Sequence, residues 1–140
     1  MPANNRGKAF TKFDLDLAFG EKWEDFIDEA FKTAEVKTEN GTWEFYGNIV
    51  IECNSYGKPS GIDSTESDMW IHNLIDSRGE YVLGFVIPTK TLKAVCEHKD
   101  TVMGGDHGAS ELIKLDISRL AYTIINKHKA LKEIGNESTH

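Results

Sequence analysis

The sequence predicts an α/β (α+β) fold, a mixed sheet with helices packed on it, and three observations carry that reading. Apolar residues recur at helical spacing in "EKWEDFIDEAFKTA", where Trp23, Phe26, Ile27, Ala30, Phe31 and Ala34 fall on one face. Runs rich in β-branched and aromatic residues, bounded by turn residues, follow from about residue 34. A second helical pattern, "ISRLAYTIINKHKALKEI", closes the chain. The order helix, strands, helix, strand, helix is that of a sheet covered by helices.

Taken in order, the first helix is expected from about 21 to 34, with Glu21, Glu24 and Asp25 near its start, where the helix dipole favours acids. "AEVKTE" reads as a strand, "NGT" as a turn and "WEFYGNIVIECN" as a longer strand, so the two strands should form an antiparallel hairpin. "SYGKPSGIDS" is a loop, and "TESDMW" fits one helical turn opened by the box Thr65-x-x-Asp68. "WIHNLI" and "EYVLGFVI" are strands joined by "DSRG", and Pro88 ends the second. "TKTLKAVCEHK" suits a short helix starting near residue 89, with Leu92, Val95 and Cys96 on one face. The glycine-rich "VMGGDHGAS" is a loop without the lysine of a phosphate-binding P-loop, and "ELIKL" is a strand. Asp116 is a good N-cap for the last helix, which Gly135 should stop.

At 140 residues the chain is expected to form a single domain, 1–140. No apolar run approaches the roughly 18 residues a membrane span needs, and the start carries no signal-type segment, so a cytoplasmic protein is expected. Cys53 and Cys96 are too few for a disulfide framework or a zinc site and are read as reduced and structural. A net charge of -7 argues against a broad basic nucleic-acid surface. The charge is uneven, however: "NNRGKAFTK" and "INKHKALKE" are basic, and the acids concentrate between residues 14 and 44. Phosphate held through a bound metal also needs fewer lysines.

The hairpin is unusually charged. With period two, Glu35, Lys37 and Glu39 share one face of the first strand, and Asn48, Val50, Glu52 and Asn54 share one face of the second. A turn near Asn40-Gly41 would set Glu35 and Lys37 opposite residues 48–52. Carboxylates about 4 Å apart repel by roughly 4 kcal/mol at an effective dielectric near 20, unless a lysine or a metal intervenes. Mg²⁺ suits such a place because it takes one or two carboxylates, keeps several waters and accepts phosphate oxygens. The plainer reading makes Glu35, Lys37 and Glu39 the solvated face of an edge strand. It serves less well for Glu52, which interrupts the apolar run "NIVIEC". Lys58, Ser60 and Thr65 follow directly and offer donors to phosphate, His72 is the nearest histidine, and Trp43 at the hairpin tip offers a stacking surface.

A helix acid, a strand acid and then "IVIE" in the next strand resemble the PD-(D/E)xK nuclease superfamily. "GEKWE" looks like the glycine-x-x-x-glutamate opening of archaeal-type Holliday-junction resolvases. "GNIVIECNSYGKPSGI", "STESDMWIH", "FVIPTKTLK" and "GGDHGAS" are similar to small phage-borne endonucleases of that superfamily, over about residues 14 to 116. The resemblance implies a restriction-endonuclease-like α-β-β-β-α-β core. It also implies a Mg²⁺- or Mn²⁺-dependent endonuclease acting on DNA, including branched DNA, as a homodimer, in a host cytoplasm if phage-encoded.

Carried over, Glu24 is the helix acid, with Glu21 as its alternative; Glu35 stands at the aspartate position, with Glu39 as its alternative; and Glu52 is the motif glutamate. Glu35 and Glu52 would hold metal. Asn54 occupies the place of the motif lysine, and Lys37 on the neighbouring strand would act in its stead. Asn54, Lys58, Ser60 and Thr65 are the expected substrate contacts. The competing expectation is a non-catalytic DNA- or protein-binding module derived from such a fold, favoured by Asn54 and the acidic charge.

Overall fold

The computed structural model describes residues 11–138; the basic stretch "NNRGKAF" lies outside them. The chain divides after Thr33 into two compact units. The first contains α1 (Lys12–Thr33), which begins at Lys12 and not near residue 21 as the sequence predicted. A capping box starts it: the Thr11 hydroxyl accepts from the Asp14 N–H at 3.2 Å, and the Asp14 carboxylate accepts from the Thr11 N–H at 3.2 Å and hydroxyl at 2.7 Å. Gly20 sits inside the helix. Along α1, Trp23 meets Phe19 and Phe26 edge-to-face, and all three rings are exposed.

The second unit is a mixed α+β fold. Its strands are β1 (Glu35–Asn40), β2 (Asn48–Ser55), β3 (Lys58–Pro59), β4 (Met69–Ile75), β5 (Tyr81–Pro88), β6 (Val102–Gly104) and β7 (Ser110–Asp116). Its helices are α2 (Thr42–Tyr46), α3 (Thr89–Cys96) and α4 (Leu120–Ser138). The expected single sheet is instead two, ordered β1-β4-β5 and β3-β2-β7-β6. One core serves both: Ile49 and Ile51 from β2, Trp70 and Leu74 from β4, Leu92 from α3 and Leu120 from α4 belong to one buried cluster. Among the described residues no helix is long and apolar enough to cross a membrane.

The predicted hairpin between β1 and β2 is not formed. β1 pairs in parallel with β4, setting Glu35, Lys37 and Glu39 opposite Trp70, His72 and Leu74. The reason lies in "GTWEFYG". Gly41 and Gly47, both at positive φ, bracket the short helix α2, and Trp43 ties that helix to the end of β4 by donating its indole N–H to the Ile75 carbonyl at 2.8 Å. Tertiary anchoring overrides the strand preference of Trp43, Phe45 and Tyr46. Trp43 is therefore half-buried against the core and not at a hairpin tip.

The hairpin this region does contain joins β2 to β3 through Tyr56-Gly57, both at positive φ, as a two-residue turn of the primed kind requires. The helical turn predicted over "TESDMW" is absent. A 3-10 turn, Gly61–Asp63, comes earlier, and the Ser67 N–H donates to the Thr65 hydroxyl at 3.3 Å. The β4–β5 hairpin and the start of α3 at Thr89 follow the sequence expectation. β6 and a 3-10 turn, Asp106–Gly108, form within the stretch expected to be loop. Asp116 caps a 3-10 turn, Ile117–Arg119, that leads into α4, accepting from the Ser118 N–H at 2.9 Å, and α4 runs past Gly135 to Ser138.

Candidate functional site

In a parallel pair, partnered residues point to the same face, so Glu35, Lys37 and Glu39 lie on the face that carries Trp70, His72 and Leu74. The two ends of this row differ. Near its start, Lys37 Nζ is 2.9 Å from Glu35 Oε1, a pair about as exposed as it is buried and so worth little.

Near its end, Glu39 is 17% exposed and holds a network that joins the two sheets. Its Oε1 accepts from the Val50 N–H at 2.6 Å, a group on the edge of β2 that faces no other strand. Its Oε2 is 3.4 Å from Nε2 of His72, which is 1% exposed. The Trp70 indole N–H donates to His72 Nδ1 at 3.2 Å. A ring nitrogen that accepts carries a lone pair, so the imidazole proton sits on Nε2 and faces the carboxylate. At 3.4 Å this contact is longer than a good hydrogen bond, and Glu39 Oε2 and His72 Nε2 are both buried without a hydrogen-bond partner.

Glu52 is half-buried on β2 and, by alternation, shares a face with Val50. Among the described residues its carboxylate has no hydrogen bond or ion pair. A bulge follows it, where the register shifts between Glu52 and Asn54. Gly61, at φ +51°, packs so closely that a Cβ there would collide with the Glu52 carbonyl oxygen. The Ser60 N–H closes the same turn on the Cys53 carbonyl at 3.1 Å. Three of the four expected substrate contacts thus belong to one hairpin beside Glu52: Asn54 pairs with Pro59, Lys58 is exposed opposite Ser55, and Ser60 Oγ is buried with no partner. Thr65 reaches back to the turn through its N–H, which donates to Gly61 at 3.0 Å.

Glu24 and its alternative Glu21 are exposed on α1, in the first unit. No group of three histidine, cysteine or acidic side chains suited to one metal occurs among the described residues. Both cysteines are free and buried. Burial, then the charges of Asp63, Glu111 and Glu52, push the Cys53 thiol up, and burial pushes Cys96 up to about 12. The residue that sequence reasoning undervalued is His72. Its signal was present: a histidine in the middle of the apolar run "MWIHNLI", two residues from a tryptophan.

Compared with known proteins, the chain matches no family model, no curated protein and no solved structure.

Proposed function

We propose that the chain is a metal-dependent endonuclease of DNA in which Glu39, and not Glu35, works with Glu52. One observation carries the choice: the Glu39 carboxylate reaches the β2 edge at Val50, on the strand that bears Glu52. Glu39 Oε2 is buried and lacks a hydrogen bond, and the Glu52 carboxylate is unpaired among the described residues. Mg²⁺ or Mn²⁺ takes one or two carboxylates and fills its remaining positions with water and phosphate oxygens. The ion would be held by Glu39 and Glu52, and when bound it supplies polarisation of the phosphodiester and acidification of a water. His72 does not suit it as a ligand, because the Trp70 bond leaves Nε2 protonated.

The chain's own groups then have distinct tasks. The Val50 N–H holds Glu39 in one orientation, and the His72 N–H faces its other oxygen. Lys58 is free to meet a strand phosphate, and Asn54 and Ser60 flank it on the same hairpin. Lys37 keeps further ammonium donors beyond the one facing Glu35 and can orient a water from within that pair. Branched DNA among the substrates and the homodimer as the working form are kept on the resemblance.

The second reading, a non-catalytic binding module, is favoured by Asn54 at the place of the motif lysine and by the Lys37–Glu35 pair. The two separate on incubation with a four-way junction, duplex and single-stranded DNA in Mg²⁺, in Mn²⁺ and in EDTA. Cleavage that needs the metal and is lost in Glu39→Gln and Glu52→Gln supports the nuclease. Binding without cleavage, together with an unchanged melting temperature in Mn²⁺, supports the module. Sedimentation velocity tests the homodimer.

A further inference from the structure

At the start of α4 a cleft of about 270 Å³ brings together Lys99, Lys114 and Arg119, with Asn48, Thr123 and Asp116 also in its lining. In a chain of net charge -7, three cations around one small cleft run against the overall balance. None of the three makes an ion pair with a carboxylate among the described residues. The acid present, Asp116, accepts from the Ser118 N–H at 2.9 Å and hydroxyl at 2.7 Å, and feels the Arg119 charge as well, so it offsets only part of the positive charge of the lining. Leu120, in the same lining, opens the 19-residue helix α4 directly after a 3-10 turn, Ile117–Arg119, that Asp116 caps. Asn48 and Thr123 add an amide and a hydroxyl donor. The volume lies below the usual range for drug-sized ligands and fits a compact oxyanion.

The cleft's position on the sheet indicates which oxyanion. Asn48 pairs with Asp116 and Val50 with Lys114, so Asn48, Val50 and Glu52 lie on the same face of the β2–β7 pair as Lys114. Asn48 precedes Glu52 by four residues, roughly 13 Å along an extended strand, or about four steps of a nucleic-acid duplex at 3.4 Å each. We infer that this cleft binds a backbone phosphate of a nucleic-acid strand a few nucleotides from the position beside Glu52. The inference rests on the nuclease reading for its ligand, and its chemistry is that of any phosphate group.

The test is fluorescence anisotropy of labelled single-stranded and duplex oligonucleotides in EDTA, with inorganic phosphate as a separate arm read by thermal shift. The variants are Lys114→Ala, Arg119→Ala and the triple with Lys99→Ala; Lys93→Ala, an exposed lysine of α3 outside the cleft, is the charge-matched control. Each single cleft variant is expected to weaken oligonucleotide binding roughly fivefold and to reduce the salt slope by about 1, with the control near wild type. The inference is overturned by a triple variant that binds as wild type does, by a control that loses as much as the cleft variants, or by a wild type that binds no oligonucleotide. Protection by inorganic phosphate without oligonucleotide binding overturns the backbone assignment as well. Because EDTA removes any need for chemistry, cleft-dependent binding with no cleavage in Mn²⁺ sinks the nuclease reading alone. Intact cleavage with binding indifferent to the cleft sinks this inference alone.

Discussion

His72 Nε2 faces Glu39 Oε2 at 3.4 Å, and the other oxygen of that carboxylate takes the Val50 N–H at 2.6 Å, so one side chain of β1 links β4 to the open edge of β2. This relationship makes Glu39 and Glu35 very different positions, although they look alike in sequence. Glu39→Gln keeps the shape but turns an amide N–H₂ toward a protonated nitrogen or toward the Val50 donor. Leaving one such buried donor unsatisfied costs about 1–3 kcal/mol. Glu35→Gln, at an exposed pair, should change stability by less than about 0.5 kcal/mol. Urea denaturation of the two variants checks the contrast.

For Glu52→Gln we expect the fold to persist and any Mn²⁺-dependent DNA cleavage to vanish. The Glu52 carboxylate makes no hydrogen bond or ion pair among the described residues, so its neutral isostere breaks no contact and the melting temperature should hold. Wild-type cleavage by this variant would remove Glu52 from the site.

Gly61 sits at φ +51° with its α-carbon against the Glu52 backbone. Gly61→Ala adds backbone strain of about 1–3 kcal/mol together with a collision at the Glu52 carbonyl. Gly57, at φ +79° with open space around it, meets only the strain. Equal losses of stability in Gly57→Ala and Gly61→Ala would mean that the close approach to Glu52 is not felt.

The thiols should be inert in the folded protein. With Cys96 pushed up to about 12, about one molecule in 10⁴ carries its thiolate at pH 8, and Cys53 is shifted in the same direction. A disulfide reagent at pH 8 should therefore label neither cysteine until denaturant is added, whereupon it should label both; labelling of the native protein would contradict their burial.

Asp116 carries its carboxyl below the usual range, chiefly through the Ser118 hydroxyl and then the Ser118 N–H. Because the folded pKa is depressed, the cap's contribution is full above the unfolded carboxylate pKa and is lost as pH falls through the folded value. Between neutral pH and the acid side of the carboxylate range, wild type should lose more stability than Asp116→Asn does. Parallel pH profiles of the two would assign no linkage to this cap.

Much of the second unit was legible because local signals and tertiary packing agree there. "WIHNLI", "DSRG" and "EYVLGFVI" form the expected hairpin, α3 starts at Thr89 and Asp116 caps the 3-10 turn that leads into the last helix. Other local signals lead elsewhere: the box Thr65-x-x-Asp68 opens no helical turn, and Gly135 does not stop α4. The box Thr11-x-x-Asp14 starts α1 ahead of a glycine that the helix tolerates. Asn40-Gly41 suggested a hairpin turn, yet it leads into α2, and the positive-φ turn of the region is Tyr56-Gly57.

The sequence by itself determined the strand periodicities, the shared faces along β1 and β2, the Asp116 cap and the concentration of acids around residues 35 to 52, because these depend on neighbours one to four positions away. Which strands pair was decided only in three dimensions: Trp43 fastens α2 to Ile75, β1 is delivered to β4, and the acid that reaches β2 becomes Glu39. That choice is made by contacts between residues more than ten positions apart in sequence, such as Glu39 with Val50 and Trp43 with Ile75, and no periodicity along the chain encodes them.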